Sequence, residues 1–75
     1  SVAEGHQSRA IAFNAANEIA VDAFLAEQLP FLEIQRIIDD VVALAPESEL
    51  NTIEDVLTLD GVCRKLAEGA LHIDG

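Results

Sequence analysis

The sequence has no tryptophan, no tyrosine and no methionine, and it holds only three phenylalanines and one cysteine. With so few aromatic rings, the core must come from aliphatic side chains. One cysteine excludes an internal disulfide. It is compatible with a reducing cytosol, and we expect a cytoplasmic protein. Basic residues are scarce as well: Arg9, Arg36, Arg64 and Lys65 stand against 14 acidic residues, for a formal net charge of −10. Nucleic acid binding relies on Lys and Arg contacts to phosphate, so the composition argues against a nucleic acid partner. An anionic membrane surface is disfavoured for the same reason. No apolar run reaches the ~18–20 residues that a membrane-spanning helix needs. No signal-peptide pattern is present. Position 1 is Ser, and we expect a processed product or a piece of a longer protein.

What is present is an apolar, helix-forming chain. Half of the 75 residues are hydrophobic, too many for a disordered segment. The length allows one domain, residues 1–75, of modest stability, since a chain this short buries only roughly 60% of its unfolded surface. The central stretch is Arg9 to Gln28, RAIAFNAANEIAVDAFLAEQ. Phe13, Ala16, Ala20, Ala23 and Phe24 follow helical spacing, with Ile11, Ala15 and Ile19 beside them. The opposite side carries Asn14, Glu18 and Asp22 at steps of four. A helix apolar over more than half its circumference is expected to be buried or nearly so.

Residues 1–7 read as the remnant of a preceding helix stopped at Gly5, then a link through His6 and Gln7, with Ser8 as the N-cap of the main helix. The main helix is expected over 10–28, ended by Leu29-Pro30. A second helix is expected over 32–45. Ile34, Ile37, Ile38, Val41, Val42 and Ala45 form its apolar face, and Pro46 stops it. Thr52 and Asp55 resemble a capping box for a helix over 53–59 that points Ile53, Val56 and Leu57 inward. Asp60-Gly61 reads as a break, and a last helix over 61–71 carries the stripe Cys63, Leu66, Ala67, Ala70 and Leu71. Asp60 and Arg64 form a favourable i,i+4 pair, and His72 to Gly75 should fray. The fold class is all-α, a small bundle of three to four helices.

Candidate chemistry is sparse. His6 and His72 sit near opposite ends, with no metal-ligand spacing around either. Cys63 lies on an apolar stripe, where a structural thiol is expected rather than a nucleophile. Adjacent acidic pairs, Asp39-Asp40 and Glu54-Asp55, point to different sides of a helix and do not chelate one ion. The exception is Asn14, Asn17 and Glu18, polar residues within an apolar helix. An asparagine amide buried without partners costs about 1–3 kcal/mol, so defined partners are expected. The structural reading has them bonding backbone carbonyls or loop amides; the functional one has them lining a surface docked on another domain.

The segment FNAANEIAVDAFLAEQLPFLEIQRII resembles the C-terminal helical domain of 1-deoxy-D-xylulose 5-phosphate reductoisomerase. The likeness rests on Asn14-Ala15-Ala16-Asn17-Glu18, then Ala20-Val21 and Ala23-Phe24-Leu25. A later block, Ile53-Glu54-Asp55-Val56-Leu57 followed by Asp60 and Arg64, extends it to about Ala70. This resemblance implies a larger, homodimeric parent enzyme that rearranges and reduces deoxyxylulose phosphate to methylerythritol phosphate for isoprenoid biosynthesis. It implies NADPH and a divalent metal, magnesium or manganese, as cofactors of the parent, held by its other domains. It transfers no catalytic, cofactor or metal residue to this chain. Asn14, Asn17 and Glu18 become structural signature residues, and the first helix of the family's bundle is expected to be truncated here. The partners are then the remaining domains of the parent, and the isolated chain is expected to self-associate.

Two alternatives come from other classes. An acyl-carrier-like domain would need a serine at a helix start, usually as Asp-Ser-Leu, and Ser1, Ser8 and Ser48 lack that context. A free-standing acidic helical module would present its charge to a basic partner.

Overall fold

The alanine-rich stretch and its two neighbours fold as three helices in a computed structural model, which describes the backbone of residues 2–73 and the side chains of residues 7–72. Helix α1 spans Val2–Leu25, a single 3-10 turn spans Phe31–Glu33, α2 spans Ile34–Leu44 and α3 spans Ile53–Ile73. Among the described residues there is no strand. The long dimension of the molecule, 37 Å, is that of α1 itself, since 24 residues at ~1.5 Å each give ~36 Å. Each helix packs on the other two.

The core is aliphatic throughout. Helix α1 contributes Ala12, Ala15, Ala16, Ala20 and Ala23, all buried. Their small side chains supply little volume, and the space is filled from across the bundle by Ile37, Ile38 and Val41 of α2 and Leu59 and Cys63 of α3. Ile37, Val41 and Cys63 are the largest fully buried side chains. The apolar face expected on α2 is the buried one, and Ile34, Val42 and Ala45 extend it at the edge of the core.

Helix α1 has no stop at Gly5 and no link at His6 and Gln7; the helix is continuous from Val2. Ser8 therefore lies within the helix rather than at its cap, and it is buried. Its hydroxyl donates to the Ser48 carbonyl at 3.1 Å and accepts from the Ser48 amide at 3.3 Å. The side chain satisfies the loop between α2 and α3 instead of its own helix end. The C-terminus of α1 comes at Leu25, earlier than residue 28. The Glu27 amide donates to the Phe24 carbonyl and the Gln28 amide to the Ala23 carbonyl, while Glu27 takes a left-handed φ of 61°. This paired closure ends the helix before Pro30 can. It turns Leu29 into the core.

Residues 53–73 form one helix, not two. Leu59 and Cys63 lie four apart on either side of Gly61 and are both buried. Both reach the core only if the helix runs unbroken through Asp60 and Gly61, and the Arg64–Asp60 pair spans the same turn at 2.7 Å. Ile53, Val56 and Leu57 are not inward as expected; they are 78%, 37% and 63% exposed. Burial on α3 begins only at Leu59. Helix α1 is also less covered than its composition suggests, with Phe13 51% exposed, because two neighbouring helices cover only part of its circumference. Helix α3 extends to Ile73, and residues 74–75, where fraying was expected, lie outside the described residues.

Two outcomes follow from this packing. A Cβ added at Gly61 meets nothing within 4 Å. Gly61→Ala should therefore stabilise a continuous α3 by about 0.5–1 kcal/mol in urea unfolding; a helix broken at this position would lose stability instead. Ser8→Ala strands the Ser48 backbone groups and should cost roughly 1 kcal/mol by the same measurement.

Candidate functional site

The polar residues of the central helix meet α3 at one place. Glu18 Oε2 accepts from Asn14 Nδ2 at 3.1 Å, one turn away on α1. The same oxygen accepts from Arg64 Nη2 of α3 at 2.9 Å, across 46 positions of sequence. Arg64 Nε holds Asp60 at 2.7 Å. One guanidinium thus bridges two carboxylates and ties α1 to α3. Asp60 first, then Glu18, raises the Arg64 pKa above its ordinary value. The arrangement sits at the surface: Asn14 is exposed, and the Arg64 and Glu18 side chains are 36% and 49% accessible. Asn14 bonds a side chain rather than the backbone groups expected for it. Its exposure removes the burial cost that made such partners necessary.

Asn17 differs from its two companions. It is half-buried, and among the described residues its amide takes no hydrogen bond. The three polar residues of the central helix therefore do not converge on one point. Asn14 and Glu18 belong to the bridge with Arg64, and Asn17 stands beside it on α1. The local sequence marks Arg64–Asp60 by its spacing, but nothing local marks Arg64–Glu18, which exists only because α1 and α3 pack side by side.

The start of α3 is fixed by the capping box read from the sequence. The Asp55 amide donates to Thr52 Oγ1 at 3.1 Å, and Asp55 Oδ2 accepts from the Thr52 amide at 3.1 Å. The same carboxylate oxygen accepts from the Asn51 amide at 2.9 Å. These amide bonds, with that from Asn51 foremost, hold the Asp55 carboxyl below the usual carboxylate range. On α2, Arg36 repeats the bridging pattern, with Glu33 at 2.7 Å and Asp40 at 3.0 Å.

Cys63 is fully buried. Burial, with the charge of Asp60 added, pushes its thiol above the ordinary pKa, so it is held as the unreactive thiol. Among the described residues, no three His, Cys, Asp or Glu side chains gather as a metal site requires. An apolar groove of about 520 Å³ runs between the early part of α1 and the start of α3, lined by Ala10, Ile11, Leu50, Ile53 and Val56 among others.

With this geometry in view, sequence comparison gives the family. The family profile described as the DXP reductoisomerase C-terminal domain matches residues 1–66. The chain belongs to the DXP reductoisomerase C-terminal domain family. Curated relatives agree. A 1-deoxy-D-xylulose 5-phosphate reductoisomerase of Rhodospirillum centenum is 50% identical over 54 residues, 72% of this chain and 13% of the relative. That of Haemophilus ducreyi is 48% identical over 69 residues, 92% of this chain and 17% of the relative. That of Paraburkholderia phymatum is 40% identical over all 75 residues, 18% of its own length. The chain thus spans less than a fifth of these reductoisomerases.

The Asp55 geometry has a testable pH signature. A depressed folded-state pKa contributes stability above the unfolded-state pKa, and that contribution is lost as pH falls through the folded-state value. Asp55→Asn should therefore lower the melting temperature at pH 7. The gap from the unaltered chain should close as the pH falls through and below about 4, the ordinary carboxylate value.

Proposed function

We propose that this chain is the C-terminal domain of a 1-deoxy-D-xylulose 5-phosphate reductoisomerase and that its role there is structural. The observation that carries the reading is 40% identity to a protein of that name along the whole of the chain. The parent enzyme rearranges 1-deoxy-D-xylulose 5-phosphate and reduces it to 2-C-methyl-D-erythritol 4-phosphate. The parent would use NADPH as its reductant together with a divalent metal, magnesium or manganese. We place both cofactors, and every catalytic residue, on the parent's other domains. We further place the parent in the cytoplasm as a homodimer. The 75 residues buttress the rest of the enzyme through a rigid aliphatic bundle. Cut away from the parent, their exposed apolar side chains promote self-association. The comparisons give no support to the carrier-protein or free-standing-module alternatives.

The reading is tested in source cells. An antibody raised against the chain should detect a product several times larger than 8.0 kDa, and that purified product should oxidise NADPH only when deoxyxylulose phosphate and a divalent metal are supplied. A product near 8 kDa, or a larger one without this activity, overturns it.

A further inference from the structure

Helix α1 carries an apolar stripe that the rest of the bundle covers only in part. Ala10, Phe13, Asn17, Val21 and Phe24 recur at steps of three and four, which places them within about 80° of the helix circumference. Ala10 and Phe13 are exposed, Asn17 and Val21 half-buried, and Phe24 remains 36% exposed. Charged residues make up 24% of the chain, yet none falls on this stripe. Glu18 and Asp22 lie to one side of it. At its N-terminal end the stripe opens into the apolar groove, which Ala10 also lines. An uncharged centre beside a polar margin is the composition of an interface core rather than of a solvated face.

One residue breaks the apolar run, and its state is informative. Asn14 and Glu18 are committed to the bridge with Arg64, whereas the Asn17 amide bonds no described group of the bundle. Leaving that amide unpaired under a cover would cost free energy, so whatever covers the stripe must bring a polar group to it. A single polar residue within an apolar seam fixes the register of what docks there.

We propose that this stripe is the docking seam for the remainder of the parent polypeptide, with Asn17 as its polar anchor. The inference rests on the reductoisomerase reading and commits the seam to that occupant for two reasons. The relatives are more than five times as long as the stretch they share with this chain. The matched family is described as a C-terminal domain, so the additional chain lies ahead of α1, on whose surface the seam runs.

Hydroxyl-radical footprinting of the intact parent tests this without any substitution. Labelling of Phe13 should be about tenfold slower in the native than in the denatured parent, as a desolvated interface core requires, while Leu44 on α2, 67% exposed here, stays reactive. Phe13 as reactive as Leu44 overturns the proposal. Protection that disappears on dilution assigns the seam to a second copy and overturns it too. Asn17→Asp places a charge in the seam and should restore Phe13 labelling without altering the pH profile of turnover; unchanged protection removes Asn17 from the role of anchor. A native product of only 8.0 kDa fails the parent reading and this inference together, whereas a larger active product with an exposed Phe13 fails this inference alone.

Discussion

Close approach along the alanine face of α1 is the constraint on which the bundle depends. Ala12, Ala15, Ala16, Ala20 and Ala23 keep one side of the helix nearly smooth. Helices α2 and α3 can then both lie against it while also touching each other. The larger aliphatics sit on the partners, where Ile37 and Val41 fill the space the alanines leave. A larger side chain at any of these alanines would push a helix away, since cores packed to organic-crystal density absorb extra methylenes poorly.

The polar bonds are arranged around that contact and do not replace it. Three of them act at ends and edges: the Ser8 hydroxyl holds the loop at Ser48, the Asp55 carboxylate closes the start of α3, and Arg64 ties the side of α3 to Glu18. Arg64 and Glu18 are solvent-exposed, so their attraction is weakened by water and salt. The bridge accordingly sets the lateral alignment of helices that the apolar contact already holds together. Arg64, Glu18, Asp60 and Asp55 are thus engaged in holding helices.

Much of this was legible locally. The i, i+3, i+4 pattern of α2 gave its buried face, Thr52 and Asp55 gave the cap of α3, and the spacing of Asp60 and Arg64 gave their pair. Cys63 was legible as a core thiol from its stripe. The differences share a cause. Gly5, Gly61 and Pro30 are punctuation by local rules alone. A glycine within a helix costs only about 1 kcal/mol, and the burial of Leu59 and Cys63 on one stripe outweighs that at Gly61. At Pro30 the helix had already closed through Glu27. Ile53, Val56 and Leu57 are apolar, but only a neighbouring helix can bury them, and the buried stripe of α3 begins at Leu59.

The sequence by itself determined the all-α class, the aliphatic core and the scarcity of basic side chains. These follow from composition and from contacts within four residues, which the chain carries wherever it is placed. Only the tertiary structure decided that Ser8 serves a loop 40 positions away, that Glu18 meets Arg64 rather than a backbone group, and that the half-buried Asn17 amide bonds no described group. Those outcomes depend on which helix lies against which face. That is fixed by the summed burial of all three helices, not by any residue's own neighbours.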